Sequence, residues 1–588
     1  MHCAVPMLGA ACLLAAGAGG PGCRSDDPGN CGRPNDRGEM RFCSDDSDRN
    51  QVCICSTGRC AESSDNCDYG LRYVYGDQEC VPEGELMAGG LVNSADPTAA
   101  CFDVPEAGAP VELDPGKRVD PRLLLLGGEV LVEAVSPYPV GTGVIDTAAE
   151  TRAYVRALDW DGRPRSSGAE VDLEPFYGET LAARGAHSWG TCDGGEERDP
   201  QTALFAHWIF GDHWQPVLLW ARRDGDSMHF DNWTGSVLGS GDLPRNIVDL
   251  RVVGTPDGCW VVWIQDPDGD GAEPAVVEGV RVLPDGAVGT SARLFDEPLP
   301  ARFATAPMLA GDTLSTPLLL AADDGKHGLV AAVPFRNPDD GTVGILARRL
   351  AAGTGLPAGA DAVPVAHFPS FHAECGGAGC QGIERPEFGG TAAQGEEIYF
   401  SYVLVGPSPG AKRMLFVTRV FRDMMAPGDP LRIGELTSPL RGVTLVPRPD
   451  GGVNGAVMGW DGNVSTLETQ LHLFRLHAEG HAVRALPNPQ AFLPQLVPDE
   501  GGYLMAQFLT RQSAGNFGLQ LVRLRSDDLQ PAPTWPDDGA QVLPTGTSIG
   551  SDPSSAVAPP LPRPDGGALT AWTTSDLHVH LAPVRAVL

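Results

Sequence analysis

The residues whose spacing most resembles working chemistry are Asp266-Pro267-Asp268-Gly269-Asp270-Gly271. Carboxylates at the first, third and fifth positions, with glycine at the sixth for a sharp turn, are what Ca2+ asks of a loop. The twelfth position, where a bidentate glutamate would close the shell, is Val277, so Glu273 or Glu278 must substitute. The plainer reading is an acidic hairpin. If Ca2+ binds through Asp266, Asp268 and Asp270, its role is structural, and no other cofactor is expected.

His372-x2-Cys375-x4-Cys380 offers three ligands to a transition metal. A Cys375–Cys380 disulfide closing the loop around Gly376, Gly377 and Gly379 is the preferred reading. Cys192 and Cys259 are then left to pair between repeats. His578 and His580 alternate in a strand and share a face, but with no third ligand nearby in the sequence they read as surface decoration. Trp208, Trp214, Trp220 and Trp233 lie near Asp231, a composition that can stack on sugar rings, although packing is the preferred reading. For catalysis there is little. The chain has no H-E-x-x-H helix, GxxxxGK[ST] loop or CxxCH haem site. Carboxylates are so abundant that no single pair stands out as a glycosidase dyad.

The elements that must carry these residues follow from composition. The 588 residues include 74 Gly and 52 Pro, spread between apolar runs, which implies many short strands joined by turns. Net charge is −34, and Lys occurs only at Lys117, Lys326 and Lys412. A polyanionic surface repels nucleic acid and anionic lipid headgroups and attracts cations. Nucleic acid is therefore not expected as a partner.

Residues 1–22 form an apolar run ending in small residues, which reads as a signal peptide. Cleavage after Ala16-Gly17-Ala18 implies free secretion, whereas cleavage before Cys23 implies a lipidated cysteine. Of the 15 cysteines, Cys3 and Cys12 leave with the signal. Lipidation of Cys23 makes the remainder even, with Cys31, Cys43, Cys53, Cys55, Cys60, Cys67, Cys80 and Cys101 in one group and Cys192, Cys259, Cys375 and Cys380 in the other. The lipoprotein reading is preferred on that parity. The first group, after a polar tether, describes a small module stapled by disulfides instead of a core. Its run VCICSTGRCAESSDNCDYGLRYVYGDQECVP (52–82) resembles the cysteine-rich head of predicted surface lipoproteins of myxobacterial type, and that resemblance implies location rather than activity.

Beyond Cys101 a unit recurs: a Gly-containing turn, an apolar strand, a polar loop and a second strand. Its first strands include 128–132, 203–208, 259–263, 328–333, 397–402, 455–460, 502–506 and 567–572; partner strands such as 279–283, 346–350, 471–476 and 521–524 carry an arginine. A hairpin of this kind cannot bury its apolar face alone, so neighbouring units must stack. The unit resembles the degenerate propeller repeats of bacterial exported proteins. The expected fold is all-β: a β-propeller of seven or eight blades over 102–588, with tandem β-sandwiches as the alternative, preceded by the disulfide module at 23–101. The expected function is that of a non-enzymatic surface lipoprotein, a binding or scaffold module of the cell envelope. It would meet an unidentified protein or glycan and touch the membrane only through its lipid. The alternatives are a propeller hydrolase or lyase acting on extracellular polysaccharide, and a purely structural envelope component.

Overall fold

The computed structural model describes short strands within residues 22–93 and most of residues 106–585; segments outside the description include 1–21, 94–105, 136–151, 266–275, 296–318, 351–362 and 369–385. The chain divides into two compact units, 1–106 with two short later segments, and most of 107–584. In the first, a five-stranded sheet runs through 52–93. Cys53 stands opposite Cys60 in one of its antiparallel pairs. No helix among the described residues is long and apolar enough to cross a membrane.

The second unit is built from eight successive antiparallel sheets, spanning 119–172, 182–232, 247–293, 320–368, 386–436, 444–489, 491–541 and 561–585. The protein is an eight-bladed β-propeller. Seven blades take four strands in chain order. The eighth has three, Leu561–Pro562, Ala568–Thr573 and Val579–Arg585, and takes its outer strand from the start of the unit, where Val111–Glu112 pairs with the last strand. Along that closure Leu113 N–H donates to Val579 O (2.9 Å), Gly108 N–H to Pro583 O (2.7 Å) and Arg118 N–H to Leu577 O (2.7 Å). Leu113 is buried there among Leu123, Val130, Leu569 and Leu581.

All eight apolar runs noted in the sequence fall in the second strand of a blade, and the four arginine-bearing partners fall in third strands. The reason is burial. A second strand is covered by a neighbouring blade on each face, so its side chains need not alternate. Cys259–Ile264 and Ala568–Thr573 are buried at every position. First and third strands, nearer an edge, do alternate, as Val276–Val282 shows. The core is accordingly a set of seams between blades. Leu126, Leu131 and Val155 of blade 1 meet Ala203, Phe205 and Leu219 of blade 2, and Trp220 of blade 2 meets Trp263 of blade 3.

Turn chemistry repeats as well. At Pro-Asp-Gly in 284–286, 449–451 and 564–566 the glycine has φ of +92°, +94° and +81°. At those positions the turn needs the left-handed region, which glycine enters without a Cβ clash. The ring is also sewn by polar contacts between first strands and the next blade. Ser188 Oγ accepts from Val252 N–H (2.9 Å) and the Asp249 carboxylate from Leu319 N–H (2.9 Å). Gln495 donates to Val557 O (3.0 Å), and Thr573 Oγ1 accepts from Asp120 N–H (3.2 Å).

Candidate functional site

Strand direction sorts every connection onto one of two faces. First strands run in parallel around the axis, so the joins from strand 2 to 3 and from each blade to the next meet on one face, the loop face. Joins from strand 1 to 2 and from 3 to 4 meet on the opposite, turn face. The connections 136–151, 294–319, 369–385 and 542–560 all belong to the loop face, and each is longer than 526–539, the longest on the turn face.

The first strands are irregular at their loop-face ends. Register shifts occur between Val119 and Arg122, Arg184 and Ser188, Ile247 and Asp249, Phe388 and Thr391, and Phe492 and Gln495. Asp120 (φ +56°) and Leu493 (φ +50°) enter the left-handed region without being glycine, a conformation that needs support from its surroundings. Bulges re-aim side chains at sheet edges and barrel rims. Here five of the eight strands around the axis carry one at the same level.

The described residues singled out by sequence divide between this face, the core and the turn face. The segment 266–275 joins the second and third strands of blade 3, beginning and ending at the loop face; Asp266, Asp268 and Asp270 themselves lie outside the described residues. The same holds for His372, Cys375 and Cys380, between Phe368 of blade 4 and Pro386 of blade 5. Trp208 and Trp214 stand at the loop-face ends of paired strands in blade 2. Trp220, farther down, is 3% exposed and belongs to the core, opposite Asp231, while Trp233 lies outside the described residues. Glu278, the possible closing ligand, has its carboxyl pushed above the usual range by burial, against the pull of Arg293. Cys23, Cys43, Cys53, Cys60 and Cys80 fall in short strands; Cys31, Cys55, Cys67 and Cys101 lie outside the described residues. Cys192 and Cys259 are bonded, joining the end of blade 2's first strand to the second strand of blade 3.

Two polar arrangements escape a reading of the sequence. The first lies in the seam between blades 1 and 2. Glu133 Oε1 is 3.7 Å from His207 Nε2, and neither side chain has any exposed surface. Arg122 stands directly opposite Glu133 in register, with its guanidinium 5.9 Å from the centre of the Trp189 ring. Burial pulls that guanidinium below its ordinary value, while Asp120 and Glu133 oppose the shift. Carboxylate and imidazole are groups of acid–base catalysis, and here both are enclosed in the seam between two blades. The only sequence signal is a charged residue inside two apolar runs, EVLVEAV and TALFAHWIF.

The second arrangement explains the arginine of the repeat. On the turn face, Arg281 lies 2.5 Å from Asp257, Arg419 2.9 Å from Glu397 and Arg523 2.6 Å from Asp499. Each carboxylate belongs to the strand 1–2 corner of the arginine's own blade. Arg223 and Arg475 instead reach a neighbouring blade, donating to Gly127 O and Asp527 O. Third-strand arginines thus pin the turns of one face. The Tyr399 hydroxyl joins one such corner through Glu397, and burial together with that hydrogen bond raises its pKa above the ordinary phenol value.

No protein-family model and no curated protein matches the chain. Similar solved structures include an ulvan lyase, 10% identical, covering 69% of this chain and 95% of that one at a TM-score of 0.39. The WD40 domain of SCAP from fission yeast is 8% identical, covering 83% and 99% at 0.38. The β-propeller domain of the Trilobed protease from Pyrococcus furiosus is 10% identical, covering 76% and 99% at 0.34. At this identity and superposition, none of their activities transfers to this chain.

Proposed function

We propose that the protein is a non-enzymatic binding propeller of the cell surface, carried on a lipid at Cys23 and presenting its loop face to a protein or glycan. One observation supports this most: the chain pins one face of the ring with short, arginine-clamped turns and sends its longest connections to the other. Loops held by a rigid scaffold are the usual place for recognition. The location rests on the sequence of residues 1–23 and on the cysteine-rich resemblance.

The test uses the mature full chain against a panel of acidic and neutral polysaccharides. Binding is read by affinity electrophoresis. Turnover is read by release of reducing ends and by the ultraviolet absorbance of unsaturated uronates. Retardation without product is the expected result. Sustained product formation from any of them overturns the non-enzymatic reading. Mass spectrometry of the mature N-terminus checks the anchor, and an unmodified N-terminus upstream of Cys23 removes it.

A further inference from the structure

His578 and His580 look like decoration in the sequence because no third ligand lies near them. The fold supplies one from the opposite end of the propeller chain. Val111–Glu112 pairs with the last strand so that Glu112 stands opposite His580, and paired residues on adjacent strands point to the same side. His578, two residues earlier, shares that side. Its Nδ1 is 2.8 Å from Glu112 Oε1, with the two side chains 22% and 44% exposed. His580 lies with its ring stacked on Trp572, centroids 6.0 Å apart. The Asp576 carboxylate, in the preceding turn, acts electrostatically with both imidazoles.

We propose that Glu112, His578 and His580 form a binding site for a divalent transition ion of the zinc class, which locks the strand that closes the ring. Two imidazoles and a carboxylate are the donor set such ions prefer over Ca2+. Directly opposed residues on antiparallel strands have Cβ atoms about 5 Å apart, a span that imidazole and glutamate side chains can bridge around an ion with bonds of about 2.0–2.2 Å. The donors do not already converge on one point, since no group of three among the described residues stands ready to hold a metal. Closing the site requires Glu112 to leave its contact with His578 and His580 its place over Trp572. What the ion ties together is the first strand of the propeller to the last.

The experiment is thermal unfolding of the full chain, stripped with chelator and titrated with ZnCl2 at neutral pH, for wild type, Glu112→Gln, His578→Gln and His580→Gln. At about a hundred times Kd the wild-type midpoint should rise by about 2–3 °C for a unit of this size, and each variant should lose most of the rise. Co2+ gives a second readout: a tetrahedral absorption band in the wild type that is absent from Glu112→Gln. The metal-free midpoint of each variant reports whether it folds. Should His580→Gln unfold, Glu112→Gln decides, because Glu112 is half-exposed and lies outside the core. A wild type that does not respond to zinc, or a Glu112→Gln variant that responds equally, overturns the site.

Discussion

Breaking the bond between Cys192 and Cys259 measures how much one covalent link contributes to holding neighbouring blades. The two cysteines are 67 residues apart in sequence, so the bond closes a loop that contains the last three strands of blade 2 and the first of blade 3. In the chain-entropy account, a cross-link over such a loop removes about 15 cal/mol/K from the unfolded chain, or about 4.4 kcal/mol at 25 °C. A unit of this size unfolds with an entropy of ~1 kcal/mol/K, so losing the bond should lower the midpoint by about 4 °C. The comparison is between wild type and Cys192→Ala/Cys259→Ala, each with and without reductant, followed by near-ultraviolet circular dichroism. Reductant also reaches cysteines elsewhere in the chain, so the informative quantity is the difference between its effects on the two proteins. Both cysteines are fully buried, and truncation to alanine adds a packing loss of about 1 kcal/mol. Reduction of the wild type isolates the covalent part. If alkylation shows both thiols free and the two proteins still respond to reductant within a degree of each other, the loop-closure reasoning is wrong for this ring.

Other outcomes follow from named contacts. Arg523→Ala should cost about 3 kcal/mol in denaturant titrations, because Asp499 is 1% exposed and would be left as a buried, unpaired charge; Arg525→Ala, at an exposed pair with Asp528, should cost under ~1 kcal/mol, and equal costs would refute the turn-pinning role. Gly254→Ala should cost about 3 kcal/mol or fail to fold, since its Cβ would come within 2.3 Å of Thr191 O, a backbone atom that cannot move aside; a wild-type midpoint would show that the strands are not so close. Burial is the main cause lowering the pKa of both His472 and His580, so their contribution is complete above the ordinary value of about 6.5. It is lost as pH falls below that toward the lowered folded values. Between neutral pH and about pH 5 the wild-type midpoint should therefore fall more than that of His472→Gln, and parallel curves would remove the effect. Chelator should lower the midpoint of the calcium-loaded protein by about a degree, equivalent to about 1.4 kcal/mol at ten times Kd, and Asp268→Ala should not respond; an unmoved wild type makes 266–271 an acidic turn only.

How much of this was legible in the sequence depended on whether a feature is local. Second strands could be read one by one because each is covered on both faces, so Cys259–Ile264 shows as an unbroken apolar run. The Pro-Asp-Gly turns could be read because three residues determine them. The arginine of the third strand was visible as a repeat, but its role needs the corner carboxylate, which stands in a different hairpin position from blade to blade: Asp257, Glu397, Asp499. The closing strand was invisible. It is two residues long, and nothing in Val111-Glu112 announces a partner at Leu581 and His580. Glu133 and His207 each look like a blemish in an apolar run until the ring brings them together.

The same distinction bears on where function can reside. A ring closes only if every blade has nearly the same width where it meets its neighbours, and the first strands enforce this through backbone contacts as tight as Gly190 against Gly254. A lengthened connection on the turn face would displace a corner carboxylate from its arginine and leave both charges partly buried and unpaired. On the loop face the one long connection gripped by an arginine–carboxylate pair in the described contacts is 294–319, held at Leu319 by Arg251 and Asp249. A lengthened connection there leaves from strands whose bulges already take up irregular register at Asp120, Ile247 and Leu493. Insertions are therefore tolerated on one side of the ring and opposed on the other. The long segments at 136–151, 294–319, 369–385 and 542–560 all fall where the physics lets them grow, and a binding surface could diversify there without loss of the fold.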